Sequence, residues 1–184
     1  MPLPDPAPNT SLPHASVFCR EAQVADGEAI SRIHREGLSG GHASFRDAPY
    51  PAETAWRADG RGIIIVAEAE AGVVGWASVT PTSDRCAYAG VGEVSLYVGS
   101  EAQGRGIGGV LLTELIERSE TAGFWTLTAQ IFPENGASLA VFARHGFAPL
   151  GTRRALGRMG YGSLAGHWRD VVGMERRSTV VGID

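Results

Sequence analysis

Residues Tyr97–Leu112 read YVGSEAQGRGIGGVLL, a strand end, a glycine-rich turn and then a helix that starts on an apolar run. A turn that opens a helix exposes backbone N–H groups with no intrahelical partner, at the positive end of the helix dipole, and so forms an anion site. Gly104, Gly106, Gly108 and Gly109 allow the backbone to come close to a phosphate and to take up positive φ. Arg105 adds a cation that can pair with a phosphate oxygen. Just upstream, Glu93 sits near the start of a strand that is otherwise built of apolar or small residues. A carboxylate there could take the proton of an ammonium substrate, directly or through a water, as a general base. It could equally be a solvated carboxylate at a strand start, or one paired with Arg85.

The loop satisfies the dinucleotide fingerprint G-x-G-x-x-G, a weak signal on its own, and Glu134 lies near the expected distance for its acidic residue. Placement argues against that reading. The fingerprint belongs at the start of a domain, whereas here much of the chain precedes the loop and only one further strand–helix unit and a β finish follow it. Four glycines among residues 104–109 are also more than a ligand-free turn requires. Cys19 and Cys86 set up no disulfide framework and read as small hydrophobes rather than nucleophiles. His14, His34, His42 and His167 have no metal-ligand spacing, so no metal is expected.

Elements that would position these groups follow from local pattern. Val17–Glu21 reads as a short strand, and Asp26 as the N-cap of a helix to about Gly37 with Ala29, Ile30 and Ile33 on one face. Residues Pro49–Asp59, with Glu53 and Trp56, suggest a second, shorter helix. Ile63–Ala69 and Val73–Val79 form a hairpin around the Glu70–Gly72 turn. In Val91–Val98 the residues Val94, Leu96 and Val98 face one way, and Glu93, Ser95 and Tyr97 the other. Ile107, Val110, Leu111 and Leu115 supply the stripe of a long helix ending near Ala122–Gly123. A strand at Thr126–Phe132, a helix at Gly136–His145 and strands near Phe147–Leu156 and Trp168–Arg176 complete an α/β pattern around a mixed, mainly antiparallel sheet.

A chain of 184 residues suits one domain, here expected over residues 17–178 with a short tail at 179–184. Residues 1–16, rich in proline, are expected to be a disordered or polyproline-like tail. A net charge of −4 with no basic run argues against a nucleic-acid partner. The absence of a membrane-length apolar stretch or a signal-peptide pattern makes the cytoplasm the expected compartment, with no membrane partner.

Gln103-Gly-Arg-Gly106-Ile-Gly108 matches the (Q/R)-x-x-G-x-(G/A) loop with which the GNAT superfamily of N-acetyltransferases holds the pyrophosphate of acetyl-CoA. The chain further resembles the phosphinothricin and methionine-sulfone acetyltransferase branch. That likeness rests on ASF at Ala43–Phe45, VVGWA at Val73–Ala77, RCAY at Arg85–Tyr88 and EVSLYV at Glu93–Val98. It continues through IFPENGAS at Ile131–Ser138, HGF at His145–Phe147 and GHWRDVVGMERR at Gly166–Arg177. The resemblance implies a GNAT-type sheet flanked by helices, acetyl-CoA as co-substrate, a small-molecule amine as acceptor and a homodimer. It assigns Gln103, Gly104, Arg105, Gly106, Ile107, Gly108 and Gly109 to the pyrophosphate, and the backbone of Leu96, Tyr97 and Val98 to the pantetheine arm. A β-bulge in that strand would aim an N–H, that of Val98, at the thioester carbonyl, where developing negative charge is stabilised. Glu93 becomes the base, Asn135 a cofactor contact as well as a helix N-cap, and Ser138 a further cofactor contact. Phe45, Arg85 and Tyr88 match the residues that bracket the acceptor at the dimer cleft of this branch. Phe45 and Trp76 also suit a core.

Two departures stand out. Phe142 occupies the place where many relatives carry a tyrosine that protonates the leaving thiolate, and phenylalanine cannot donate a proton. Either the thiolate leaves unassisted or another donor serves, with His145 the nearby candidate. The familiar Gly-Arg-Trp-type motif appears as Gly166-His167-Trp168 after a glycine-rich run. The expected reaction is direct attack by the amine of a small amino acid or analogue in a ternary complex. Acetylation of a protein N-terminus, a polyamine or an aminoglycoside-like amine, and a non-catalytic acyl-CoA sensor, are the alternatives.

Overall fold

The computed structural model describes residues 17–55 and 62–183. The proline-rich stretch 1–16 and Trp56 lie outside the described residues. Among the described residues seven strands form one sheet, β1 (Phe18–Glu21), β2 (Ile63–Ala69), β3 (Gly72–Pro81), β4 (Val91–Val98), β5 (Thr126–Ile131), β6 (Ala148–Arg158) and β7 (Trp168–Arg177). Their order is β1-β2-β3-β4-β5-β7-β6. Every neighbouring pair is antiparallel except β4 and β5, which run parallel. The mixed, mainly antiparallel sheet expected from the sequence is therefore the fold.

Among the described residues three helices flank it: α1 (Gly27–Ser39), α2 (Ile107–Thr121) and α3 (Gly136–Arg144). The strands divide their side chains between two faces because successive residues alternate. Ile65, Ala67, Ala77, Val79 and Val94 join α2 in the larger core, with Leu96 and Val98 packed on its margin. Val66, Trp76 and Tyr97 turn the other way, onto Ile30 and Ile33 of α1. The stripe of α2 is centred differently from the sequence expectation. Ile107, Leu111, Leu112 and Leu115 are buried, whereas Val110 is 44% exposed. The helix lies across β2, β3 and β4, and so buries the flank bearing Leu112 rather than the one bearing Val110.

Asp26 stands at the N-cap of α1, but its carboxylate does not cap the helix. It accepts from Arg20 (2.7 and 2.8 Å) and from the Gln23 amide (2.7 Å). The Arg20 hydrogen bond is the main influence holding its carboxyl below the usual range. The helix expected over Pro49–Asp59 is, in its described part, a turn closed by Ala55 N–H on Pro51 O (2.8 Å). No helix among the described residues is long and apolar enough to cross a membrane.

One side of the α1 core is a box of rings. His34, fully buried, lies 4.6 Å from Tyr50 and 4.7 Å from Tyr97 between ring centroids, and Tyr97 stacks on Trp76 at 4.7 Å. The Tyr50 amide donates to His34 Nδ1 (3.1 Å), so the neutral ring carries its proton on Nε2. Burial, and then the Arg46 charge, pull the His34 pKa down to about 4. Burial likewise pushes the Tyr97 hydroxyl up, so it stays protonated.

Candidate active site

The parallel pairing of β4 and β5 is short. It joins Val91 to Thr126, Gly92 to Leu127 and Glu93 to Thr128, and then stops, although both strands continue. Beyond Glu93, β4 follows β3 in an unbroken register to Gly75/Val98, while β5 follows β7 as far as Ile131/Val172. The opening between them forms with no register shift between β4 and β3, and so without a β-bulge on that side. Gly99 donates its amide to Val74 O on the β3 side (2.9 Å). By alternation, Leu96 and Val98 turn their N–H and C=O groups to the other edge, toward the opening. Tyr97 corrects the expectation, because its backbone groups face β3 and its ring lies on Trp76.

The turn after β4 is pinned before it reaches the glycines. Glu36 of α1 accepts from the Ser100 amide (2.8 Å) and the Ser100 hydroxyl (3.1 Å). Gln103 Nε2 donates to Val98 O (3.3 Å), the last carbonyl facing the opening. Gly104 and Gly106 then adopt left-handed conformations, φ 76° and 80°, and Gly106 delivers the chain into α2. Among the described residues, the backbone amides of Gln103 to Gly108 have no recorded hydrogen-bond acceptor. Arg105 is exposed beside them, and Ile107 is buried as the first residue of α2. Unpaired amides, a helix start and a cation form a cradle for a phosphate group.

Gly108 stands where three elements meet. A methyl group there would lie 3.7 Å from Leu96, 3.8 Å from Val98 and 3.9 Å from Val141 of α3. At the next residue, a methyl on Gly109 would lie 3.4 Å from the His145 ring. His145 Nδ1 donates to Val141 O (2.7 Å), which leaves Nε2 as the ring's free nitrogen. Phe142 is only 3% exposed and packs edge-to-face on Phe147, so it is a core residue.

Glu93 sits at the closed root of the opening, partly buried, with Gln130 Nε2 donating to its Oε2 (3.2 Å). Among the described residues no ion pair joins it to Arg85. Asn135 caps α3 by accepting from the Ser138 amide (3.1 Å), and its Nδ2 donates to His42 O (3.2 Å). Ser138 is half-buried in the first turn of α3.

The three residues expected to bracket an acceptor are not together in one chain. Phe45 packs on Phe132 just beyond the end of β5 (ring centroids 4.9 Å) and leans on Gly157, where any side chain would collide with its ring. Arg85 and Tyr88 are exposed and precede the start of β4, at the opposite end of the parallel pair. Sequence reasoning also missed Arg169. Only 5% exposed, it donates to Gly41 O (2.9 Å), His42 Nδ1 (3.0 Å) and Glu134 (3.0 Å), and its guanidinium covers the Phe132 ring at 4.1 Å. Tyr161 adds a hydrogen bond to Ser44 O (2.8 Å). Together these contacts fasten the segment after α1 to β5 and β7. The available signal was the period-two count of β7, which places Arg169, Val171 and Gly173 on one face. Among the described residues no three His, Cys, Asp or Glu side chains are grouped to hold a metal ion.

The acetyltransferase (GNAT) family pattern matches residues 28–147. The chain belongs to the GNAT family. It is 31% identical to phosphinothricin N-acetyltransferase of Alcaligenes faecalis, across 94% of this chain and 89% of that one. It is 30% identical to the L-methionine sulfoximine/L-methionine sulfone acetyltransferase of Pseudomonas aeruginosa, across 87% and 94%. The solved GNAT superfamily phosphinothricin acetyltransferase from Sinorhizobium meliloti in complex with AcCoA superposes with a TM-score of 0.80 at 32% identity, covering 91% of each chain. This GNAT protein is thus an acetyl-CoA-dependent N-acetyltransferase, and the unpaired amides of its loop suit the pyrophosphate of that co-substrate.

Proposed function

We propose that the enzyme acetylates the amine of a small amino acid or analogue of the phosphinothricin, methionine sulfone or methionine sulfoximine type. The observation that carries this reading is the β4–β5 opening, with Glu93 at its root and the loop of residues 103–109 at its mouth. Acetyl-CoA supplies a thioester carbonyl open to attack and a thiolate that leaves with the carbon–sulfur electrons. Glu93 takes the proton of the attacking ammonium, directly or through a water, while Gln130 holds its carboxylate. The Val98 N–H, turned to the opening, stabilises negative charge on the carbonyl oxygen. Amides 104–108 and Arg105 hold the pyrophosphate, and Leu96 and Val98 pair with the pantetheine arm as an added strand. Asn135 and Ser138 contribute at the start of α3. The amine attacks directly, with no acyl-enzyme.

The separation of Arg85 and Tyr88 from Phe45 supports a homodimer, in which one copy brings the first two to the acceptor side of the other. Relatives named for phosphinothricin and methionine sulfone acetylation support the acceptor class. A second reading draws on a structure of a ribosomal-protein-alanine N-acetyltransferase from Brucella melitensis, 30% identical with a TM-score of 0.76. Thiol release from acetyl-CoA separates them, with phosphinothricin, methionine sulfone and methionine sulfoximine set against polyamines and a peptide beginning with alanine. Turnover on the free acids is expected, and turnover only on the peptide or polyamines would reject the amino-acid reading.

A further inference from the structure

A cavity of about 420 Å³ opens on the sheet beside Glu93, across β5, β7 and β6. Its near wall is Gln130, the residue that donates to Glu93. Gln130 pairs with Gly173, and Gly173 with Gly151, so a straight line across three strands has no side chain after the first. A methyl group on Gly173 would meet only Gly151 O and Leu150 Cβ, each at 3.9 Å, and one on Gly151 would meet nothing within 4 Å. The far wall is Arg153, and Leu150, 65% exposed, lends apolar contact. Among the described residues the Arg153 guanidinium has no recorded hydrogen bond or ion pair. The trough thus joins the root of the β4–β5 opening to an unpaired cation, and its volume suits a small ligand. Three strand spacings, about 14 Å, separate β4, which carries Glu93, from β6. The Glu93 side chain, an extended arginine and a glutamate-length acceptor side chain fill that span together.

We infer that Arg153 binds an oxyanion at the far end of the acceptor's side chain, selecting amino acids whose tail carries a phosphinate or carboxylate. This rests on the reading of Glu93 as the base and of an amino acid as the acceptor. With the amine held at Glu93, the tail runs along the glycine floor to the guanidinium, which meets two oxygens of one anion in parallel. Arg153 does this rather than Arg85, which lies at the other end of the parallel pair.

The experiment is steady-state acetyl transfer by the parent, Arg153→Gln and Arg154→Gln. The acceptors are phosphinothricin, with an anionic tail, and methionine sulfone, with a neutral one. Arg153→Gln should raise the KM for phosphinothricin about tenfold or more, the loss of one charge-assisted contact. It should raise the KM for methionine sulfone far less and leave that for acetyl-CoA unchanged. Arg154→Gln removes the same charge outside the cavity lining and should leave all three unchanged. An unchanged phosphinothricin KM in Arg153→Gln, or equal effects of the two substitutions, would overturn the assignment while the amino-acid reading stands. A parent that acetylates other amines but neither acid would overturn that reading and this assignment with it.

Discussion

Gly106→Ala and Gly108→Ala remove glycines two residues apart in the same loop, yet they should behave in opposite ways. Gly106 has φ 80°, and a methyl there would touch nothing within 4 Å, so the whole cost of alanine is backbone strain. A left-handed non-glycine residue costs roughly 1–2 kcal/mol. For a domain of this size that corresponds to a fall in Tm of about 2–8 °C, if the loop keeps its shape. If the loop relaxes instead, the amides turn away from the phosphate and acetyl-CoA affinity falls. Gly108 lies inside α2 with no positive φ, and its methyl would meet Leu96, Val98 and Val141 at ordinary contact distances. Alanine there should be neutral, or stabilising by up to about 1 kcal/mol. The (G/A) place in the loop pattern agrees. Thermal unfolding with and without acetyl-CoA reads both effects, because a ligand at a hundred times its Kd adds about 2.7 kcal/mol. Gly106→Ala should lose stability, ligand-induced shift or both, and Gly108→Ala should keep both. Equal behaviour of the two variants would refute the assignment of strain to Gly106.

Glu93→Gln should cut turnover by about 10²–10⁴-fold with acetyl-CoA affinity nearly unchanged, and parent-like turnover would remove Glu93 from the mechanism. Glu36→Ala frees the Ser100 turn and should raise the KM for acetyl-CoA severalfold at constant kcat; Glu36→Gln, which keeps an oxygen for the Ser100 amide, should recover most of it. Neither change in kinetic assays would mean the turn holds itself. His34 gives a pH dependence. Its folded pKa of about 4 lies below the unfolded value near 6.5, so the unfolded chain takes up the proton first. Its contribution is complete above about pH 6.5 and is lost as pH falls toward 4, by up to about 3 kcal/mol. Denaturant unfolding from pH 7 to 4.5 should show a steeper loss in the parent than in His34→Leu, and parallel slopes would contradict the burial of a neutral ring.

The parts of this site that were readable from sequence are local ones. The alternation of Val91–Val98, the glycines before Ile107 and the Asn135 cap each lie within one element or turn, where residue type constrains backbone conformation directly. The opening between β4 and β5 was not readable in that way. It arises because each strand keeps faith with a different neighbour, β3 or β7, and such pairing is set by tertiary contacts. For the same reason the sequence misplaced the backbone of Tyr97, and the period of β7, which sets the face of Arg169, did not show that it lies buried over Phe132. The error at Val110 was one of phase, since a helix lying across three strands buries a broader flank than a narrow stripe suggests. That Phe142 cannot donate a proton follows from its type, but only the structure shows that its ring serves the core, packed on Phe147.

A crystal structure of the enzyme with acetyl-CoA tests the account most directly. The pantetheine arm should lie in the opening, hydrogen-bonded to the backbone of Leu96 and Val98, with the pyrophosphate on the amides of residues 104–108 and Glu93 facing the thioester. A co-substrate bound away from β4, or a β4–β5 ladder that continues past Glu93 and closes the opening, would contradict it.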